Sequence, residues 1–407
     1  MRTLFITRDG PGLTYLESLF VPIFQRLGER GFPFDVLQFR WGNPDEHKAA
    51  ERACAAAGIG YRAAPVWRGL GPLGPFGSAL AGRRHVRQAI RQFGTDAVMP
   101  RGSLAALSVD GELRRTRVPM LYDSDGFDID ERVDFAGMSP TGVAYRLMRD
   151  IETLAARDAA GVLVRTPAAR DILSARVGVL PGESGIDVVT NGRDETRFVP
   201  GTAADRQSTR VELGIAPGAP VVAYVGTIGF RHHTERVAAF AQAIRELAPE
   251  AHLLVLTGSP GEAEAALLAE APRLAGGLTI VTAPPDRVPA LLAAADVGTS
   301  FIRAAFSTQG VAPLKTAEYL LCGVPVVGTA GVGRNAAAVE AGVFVDDAAA
   351  DLGQLARWVL DRFIPQREAV RARARAVGVA EYSLARAVDD YEAALRSVAR
   401  KRGLPMR

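Results

Sequence analysis

The sequence predicts an α/β protein made of two doubly wound, Rossmann-like domains facing a central cleft. Short β-rich runs alternate with longer helical patterns, the signature of parallel sheets in right-handed βαβ units. Several of those runs are continuously apolar, as strands covered on both faces should be. They also number twelve, too many for one comfortable open sheet, and fall into two groups of six.

In chain order, the first group is "TLFIT" (3–7), "FDVLQF" (34–39), "DAVMP" (96–100), "PMLYD" (119–123), "GVLVRT" (161–166) and "DVVTN" (187–191). The second is "VVAYVGT" (221–227), "HLLVLTG" (252–258), "LTIVT" (278–282), "DVGTSF" (296–301), "PVVGT" (325–329) and "GVFVD" (342–346). Helical stretches such as "TYLESLFVPIFQRLGERG" and "TERVAAFAQAIRELA" lie between them. The Gly- and Pro-rich "RVGVLPGESGID" (176–187) reads as a hinge. The expected domains are 1–184, 185–378, and a C-terminal helix over 379–407 that crosses back to the first.

With 407 residues, 48% hydrophobic and 23% charged, the chain has material for more than one packed core and no disordered character. Its net charge of +3 permits anionic partners without demanding nucleic acid, and none is expected. Cys54 and Cys322 are far apart with no His/Cys cluster near either, which argues against a disulfide framework or a zinc site. The N-terminus runs straight into an apolar strand, leaving no room for a signal peptide, and no apolar run approaches the ~18–20 residues that cross a bilayer. The expectation is a soluble, cytoplasmic protein.

The most informative stretch is "FSTQGVAPLKTAEYLLCGVPVVGT" (306–329), a loop, a helix and a buried strand. Pro313 suits the first helical position, Gly323 the C′ position, and Pro325 stops the helix. Backbone at Gly310 and Val311 can approach a ligand closely, and free helix N–H groups make a ready site for a diphosphate. Lys315 adds a positive charge in the first turn. Glu318 lies five residues past Pro313, roughly 7–8 Å along the axis, where a carboxylate can accept hydrogen bonds from a ribose. On composition alone, Lys315 and Glu318 also fit a solvated helix pair.

"APLKTAEYLLCGVPVV" resembles the donor-binding helix of GT-B glycosyltransferases, specifically the large retaining family-four (group 1) of bacteria. It keeps every fixed position of that group's Pro-x-Lys-x-x-Glu-Tyr-Leu-x-x-Gly-x-Pro-Val-Val run. Further matches are "VVTNGRDETRF" (188–198), "VAYVGTIGFRHHTERVAAF" (222–240), "HLLVLTGSPGE", "VPALLAAADVGTSF" and the C-terminal "YSLARAVDDYEAAL" (382–395). The resemblance implies a donor site formed by Gly226, Thr227, Arg231, Gly310, Val311, Lys315 and Glu318. Two departures stand out. The first glutamate of the group's Glu-x7-Glu signature falls on Gly310. The basic pair common on its phosphate loop is missing, with Thr227 at the first position, the second near His232, and Arg231 as the nearest substitute.

"MLYDSDGFDIDE" (120–131) crowds five carboxylates together, and Asp134 follows. Calcium-loop spacing fails here, because Gly126 is fourth and Asp128 sixth. The stretch resembles an N-domain strand end in which Asp123 is kept and the group's arginine is replaced by Asp125. It reads as acceptor-side chemistry, with Asp123 and Asp125 as the catalytic candidates. A metal site and a solvated, helix-capping loop are the alternatives. The Gly10–Gly12 loop after the first strand would line the acceptor side. Residues 62–95 hold Arg62, Arg68, Arg83, Arg84, Arg87 and Arg91 and no acid, interleaved with Trp67, Leu70, Leu73, Phe76 and Leu80. That composition suits an anionic membrane surface, or a solvated helix face with an apolar loop packed on the core.

The resemblance therefore implies transfer of a sugar from a UDP- or GDP-sugar to a saccharide or lipid-linked acceptor, with retention, in surface polysaccharide or glycoconjugate synthesis. No cofactor or metal is expected, because a helix N-terminus with Lys315 would offset the diphosphate charge. A nucleotide-sugar epimerase or hydrolase, and a non-catalytic GT-B partner protein, are the other readings.

Overall fold

A computed structural model describes residues 1–10, 14–42, 44–66, 74–180, 185–345 and 351–404. The chain divides into two compact units, one comprising Met1–Thr190 with Ala387–Arg407 and the other Asn191–Arg386.

The first unit is built on strands β1 (Thr3–Asp9), β2 (Phe34–Arg40), β3 (Gly60–Pro65), β4 (Ala97–Pro100), β5 (Leu121–Asp123), β6 (Gly161–Val164) and β7 (Ile186–Val188). Ladder pairing gives the orders β3-β2-β1-β4 and β5-β6-β7, all parallel. Single bridges, Val98 with Met120 and Arg101 with Asp123, join β4 to β5. Leu4, Ile6, Leu37, Phe39, Val98, Tyr122 and Val162 form the core. The helix Leu384–Arg402 contributes Tyr391, Leu395 and Val398, all buried. It passes so close to β6 that a Cβ on Gly161 would stand 2.8 Å from the Val398 side chain.

The second unit holds β8 (Val221–Val225), β9 (His252–Leu256), β10 (Leu278–Val281), β11 (Val297–Ser300), β12 (Val326–Thr329) and β13 (Gly342–Val345), in the parallel order β10-β9-β8-β11-β12-β13. One face of the sheet packs Phe240, Ile244 and Leu267, and the other Phe198, Tyr319, Leu320 and Tyr382. Asp296, just before β11, is a buried hub. It accepts from Arg206 (2.7 Å), Arg210 (2.9 Å), Arg367 (2.8 Å) and the Val221 amide (3.0 Å).

All twelve strands expected from sequence form, and β3 is an addition to them. Three expectations need correction. β7 pairs with β6, so the boundary between units falls after Thr190 rather than after residue 184. Residues 181–184 of the expected hinge lie outside the described residues. Pro313 is the N-cap of the helix Leu314–Leu321, with extended ψ of 123°, and is not its first residue. The C-terminal crossing begins at Leu384, since a separate helix runs over Arg367–Tyr382.

Candidate active site

In an open parallel sheet the chemistry gathers beyond the carboxyl ends of the strands, because helix N-termini and loops converge there. In the second unit that edge carries Gly226 and Thr227 after β8, and the segment from β11 through the turn Ser307–Gly310 to the helix Leu314–Leu321. Gly226 has a φ of 131°, which side-chain-bearing residues rarely adopt. A Cβ there would sit 3.3 Å from Lys315 Nζ, so the glycine leaves room for the lysine.

Lys315 is buried, and its ammonium lies 4.0 Å from the centre of the Tyr224 ring with no hydrogen-bond partner among the described residues. Burial, helped by Arg231, pushes its pKa down to about 7 against the opposing pull of Glu318. Tyr224 is fixed in turn, because its hydroxyl donates to the Thr227 carbonyl. Thr227 Oγ1 also meets His232 Nε2 at 2.9 Å. Burial, Lys315 and Arg231 hold the His232 pKa down to about 3, so the imidazole is neutral at physiological pH.

One turn on from Lys315, Glu318 is tied to Arg193 at 2.8 Å. Burial raises the Glu318 carboxyl, and Arg193 opposes that rise. Arg193 sits in a loop pinned by its own backbone, its amide donating to Tyr382 (2.9 Å) and its carbonyl accepting from Leu384 (2.8 Å). The helix itself is anchored where the Val225 amide donates to Tyr319 Oη at 2.8 Å and Ser300 Oγ meets Thr316 Oγ1 at 3.0 Å. Gly378 brings the helix Arg367–Tyr382 against its outer side. A Cβ at that position would stand 2.7 Å from Leu320 C and Leu321 N.

Of the donor residues expected from sequence, Gly226, Thr227, Lys315 and Glu318 thus share this edge. Arg231 belongs to the turn Phe230–His232 beside it, and its carbonyl accepts from the Arg303 amide at 3.1 Å. Gly310 is buried in the turn Ser307–Gly310. The Val311 N–H, expected to face a phosphate, donates instead to the Thr308 carbonyl at 3.2 Å. Sequence reasoning missed Arg193 and Tyr224. Their contacts with the Leu314–Leu321 helix are long-range and leave no local pattern.

In the first unit the "DSD" stretch ends β5. Asp123 is fully buried, and its Oδ1 accepts from Arg165 Nη2 at 2.6 Å. It holds an arginine in place instead of presenting a carboxylate to solvent. Asp123, expected from sequence to contact substrate, is thus engaged by Arg165 through one oxygen, while its Oδ2 has no hydrogen-bond partner among the described residues. Asp125 is partly open, hydrogen-bonded by Arg101 and 3.6 Å from Arg165 Nε. Arg165 and Arg101 are thus the charged neighbours of the two carboxylates among the described residues. Among the described residues no group of three or more His, Cys, Asp or Glu side chains could hold a metal ion. Gly10 packs against Trp41, with a would-be Cβ 3.0 Å from its ring, while Gly12 lies outside the described residues. Trp67, Arg68, Leu70 and Leu73 of the basic stretch also lie outside them. Of the rest, Arg62 lies on β3 and Arg83, Arg84, Arg87 and Arg91 on the helix Gly74–Phe93, which exposes Leu80. Arg62 donates there to Gln88 (2.6 Å) and Gln92 (2.8 Å). No helix among the described residues is long and apolar enough to cross a membrane.

Residues 219–362 match the family model of group 1 glycosyl transferases. The chain is 58% identical over 43 residues to D-inositol 3-phosphate glycosyltransferase of Nocardia farcinica (strain IFM 10152), a match spanning 11% of this chain and only 9% of that protein. Among solved structures it resembles Anabaena HepE in complex with UDP (TM-score 0.72, 17% identity, 98% of this chain and 100% of that one). It also resembles WaaG, a glycosyltransferase involved in lipopolysaccharide biosynthesis (TM-score 0.70, 16% identity, 97% and 98% covered). The chain therefore has the GT-B fold, and its residues 219–362 are similar to the group 1 glycosyl transferases.

Proposed function

We propose that the protein transfers a sugar from a nucleotide diphosphate sugar to an acceptor, with retention at the anomeric carbon and without a metal ion. One observation carries the reading. A buried ammonium with no hydrogen-bond partner among the described residues, Lys315, sits one helical turn from an arginine-braced carboxylate, Glu318, at the ligand-binding edge of the sheet. The ammonium would offset the leaving diphosphate where charge develops, and Glu318 would accept from the ribose hydroxyls. Gly226 would let the phosphates approach, with Thr227, Arg231 and backbone of the 308–312 loop around them. Solved complexes of HepE contain UDP and UDP-glucose, which supports a uracil nucleotide as the first donor to try. In the first unit, Asp125 is the carboxylate that reaches an acceptor, and Asp123 acts through Arg165. A saccharide or lipid-linked acceptor, met at an anionic membrane through the arginines of 62–95, completes the reading.

Thermal unfolding with UDP, GDP, ADP and CMP, each with and without EDTA, tests it. One nucleoside diphosphate should stabilise the folded chain by about 2.7 kcal/mol at a hundred times its dissociation constant. EDTA should leave that effect unchanged, and Lys315→Ala and Glu318→Ala should each sharply reduce it. Product anomers read by NMR then decide retention. Gly310, in place of a glutamate, favours the non-catalytic reading, which nucleotide binding without turnover across an acceptor panel would select.

A further inference from the structure

The first unit has a cavity of about 460 Å³ at the carboxyl ends of β1 and β4, lined by Arg8, Arg101, Arg132, Ser103, Asp128 and Trp41 among others. Two features of its wall favour a negative ligand. Arg8 makes no ion pair among the described residues. Its Nη2 donates to Ser78 Oγ at 3.1 Å, its guanidinium lies 5.3 Å from the centre of the Phe39 ring, and its Nη1 is buried without a hydrogen-bond partner. A guanidinium left so costs stability unless something else satisfies it.

The second feature is the start of the helix Ser103–Thr116, whose first three residues, Ser103, Leu104 and Ala105, all line the cavity. Gly102 is its N-cap and supplies no side chain to cap the first amides. The Ser103 hydroxyl is itself buried and, though near the Tyr122 phenol, makes no hydrogen bond of normal geometry with a described residue. A positive helix end, a buried hydroxyl and a guanidinium without an ion pair among the described residues thus belong to residues lining one cavity. Arg132 adds a charge at the rim, where Asp128 on its own helix is its neighbour.

We propose that this cavity binds a phosphate ester, held by Arg8 and Arg132, the Ser103 hydroxyl and the first amides of the Ser103–Thr116 helix. If the protein is the transferase proposed above, the phosphate belongs to the acceptor, either a soluble sugar phosphate or a lipid-linked one. Arg101, engaged by Asp125, would position Asp125 rather than bind the ligand.

Calorimetric titration of the full chain with methyl phosphate, at fixed ionic strength and with UDP present throughout, tests the site. Arg8→Gln and the exposed Arg132→Gln should each weaken binding at least tenfold, and Lys315→Ala should leave it within twofold. Equal affinity in the wild type and both arginine variants would overturn the proposal. So would no binding in the wild type, or a loss confined to Lys315→Ala. A further arm compares glucose 6-phosphate with vesicles containing phosphatidic acid, and Arg8-dependent binding to either one supports the site and identifies the source. Nucleotide binding is scored separately, so failure of the phosphate site leaves the donor reading standing, and the reverse.

Discussion

The amine of Lys315 is the residue-level group on which diphosphate binding depends most. Its pKa is held down to about 7, so the folded chain binds fewer protons than the unfolded one between about pH 7 and the usual lysine range. Stability from this group accordingly rises with pH across that window. A bound diphosphate reverses the preference, since it favours the charged ammonium and draws a proton onto it. UDP affinity should therefore fall as pH rises from 7.5 to about 9.5, where the phosphate is already fully ionised (second pKa about 6). In Lys315→Met the affinity should be weaker and flat over the same range. Calorimetry in two buffers of different ionisation enthalpy checks both the slope and the proton uptake. A wild-type profile as flat as the variant's would remove the lysine from the site.

At the scale of elements, the helix Leu314–Leu321 is held from both sides. Tyr319 and Thr316 tie it to β8 and β11, and Gly378 admits the helix Arg367–Tyr382 against its backbone. Gly378→Ala forces those backbones apart, an overpacking that costs about 1–3 kcal/mol. Tm should fall by about 2–4 °C per kcal/mol for a unit of this size, with UDP affinity falling alongside, as scanning calorimetry and titration would record. An unchanged Tm would mean the two helices are not in this contact.

The elements also show what sequence makes legible. Continuously apolar runs gave away the central strands, because a strand covered on both faces leaves that trace. β3, "GYRAAP", escaped because it is an edge strand with one buried residue in six and Gly and Pro at its ends. Lys315 and Glu318 could be read because one short helix carries both. Arg193, Arg165 and Arg8 meet partners far away in sequence, and no spacing along the chain encodes such contacts. Asp123 was the opposite case, a conspicuous residue whose burial under Arg165 only the folded chain reveals.

At the scale of the molecule, the second unit is one continuous stretch, whereas the first is assembled from two distant ones. Tyr391, Leu395 and Val398 are buried in the first unit's core. Burying three such side chains contributes about 5–9 kcal/mol, comparable with the whole stability of many domains at about 5–15 kcal/mol. Ending the chain at Arg386 should leave the first unit open to protease while residues 191–386 stay resistant. Limited proteolysis with mass spectrometry would find that fragment, and equal resistance of both units would count against the argument.

That discontinuity also sets a clock. During synthesis the strands of the first unit leave the ribosome long before the helix that completes them. At about 5–20 residues per second, the roughly 200 intervening residues take about 10–40 s to appear. For that interval the groove awaiting Tyr391, Leu395 and Val398 is unfilled apolar surface, while the second unit emerges as a single run able to fold as it comes. The nascent first unit is thus the segment that should engage a chaperone, and its release should coincide with arrival of the last helix.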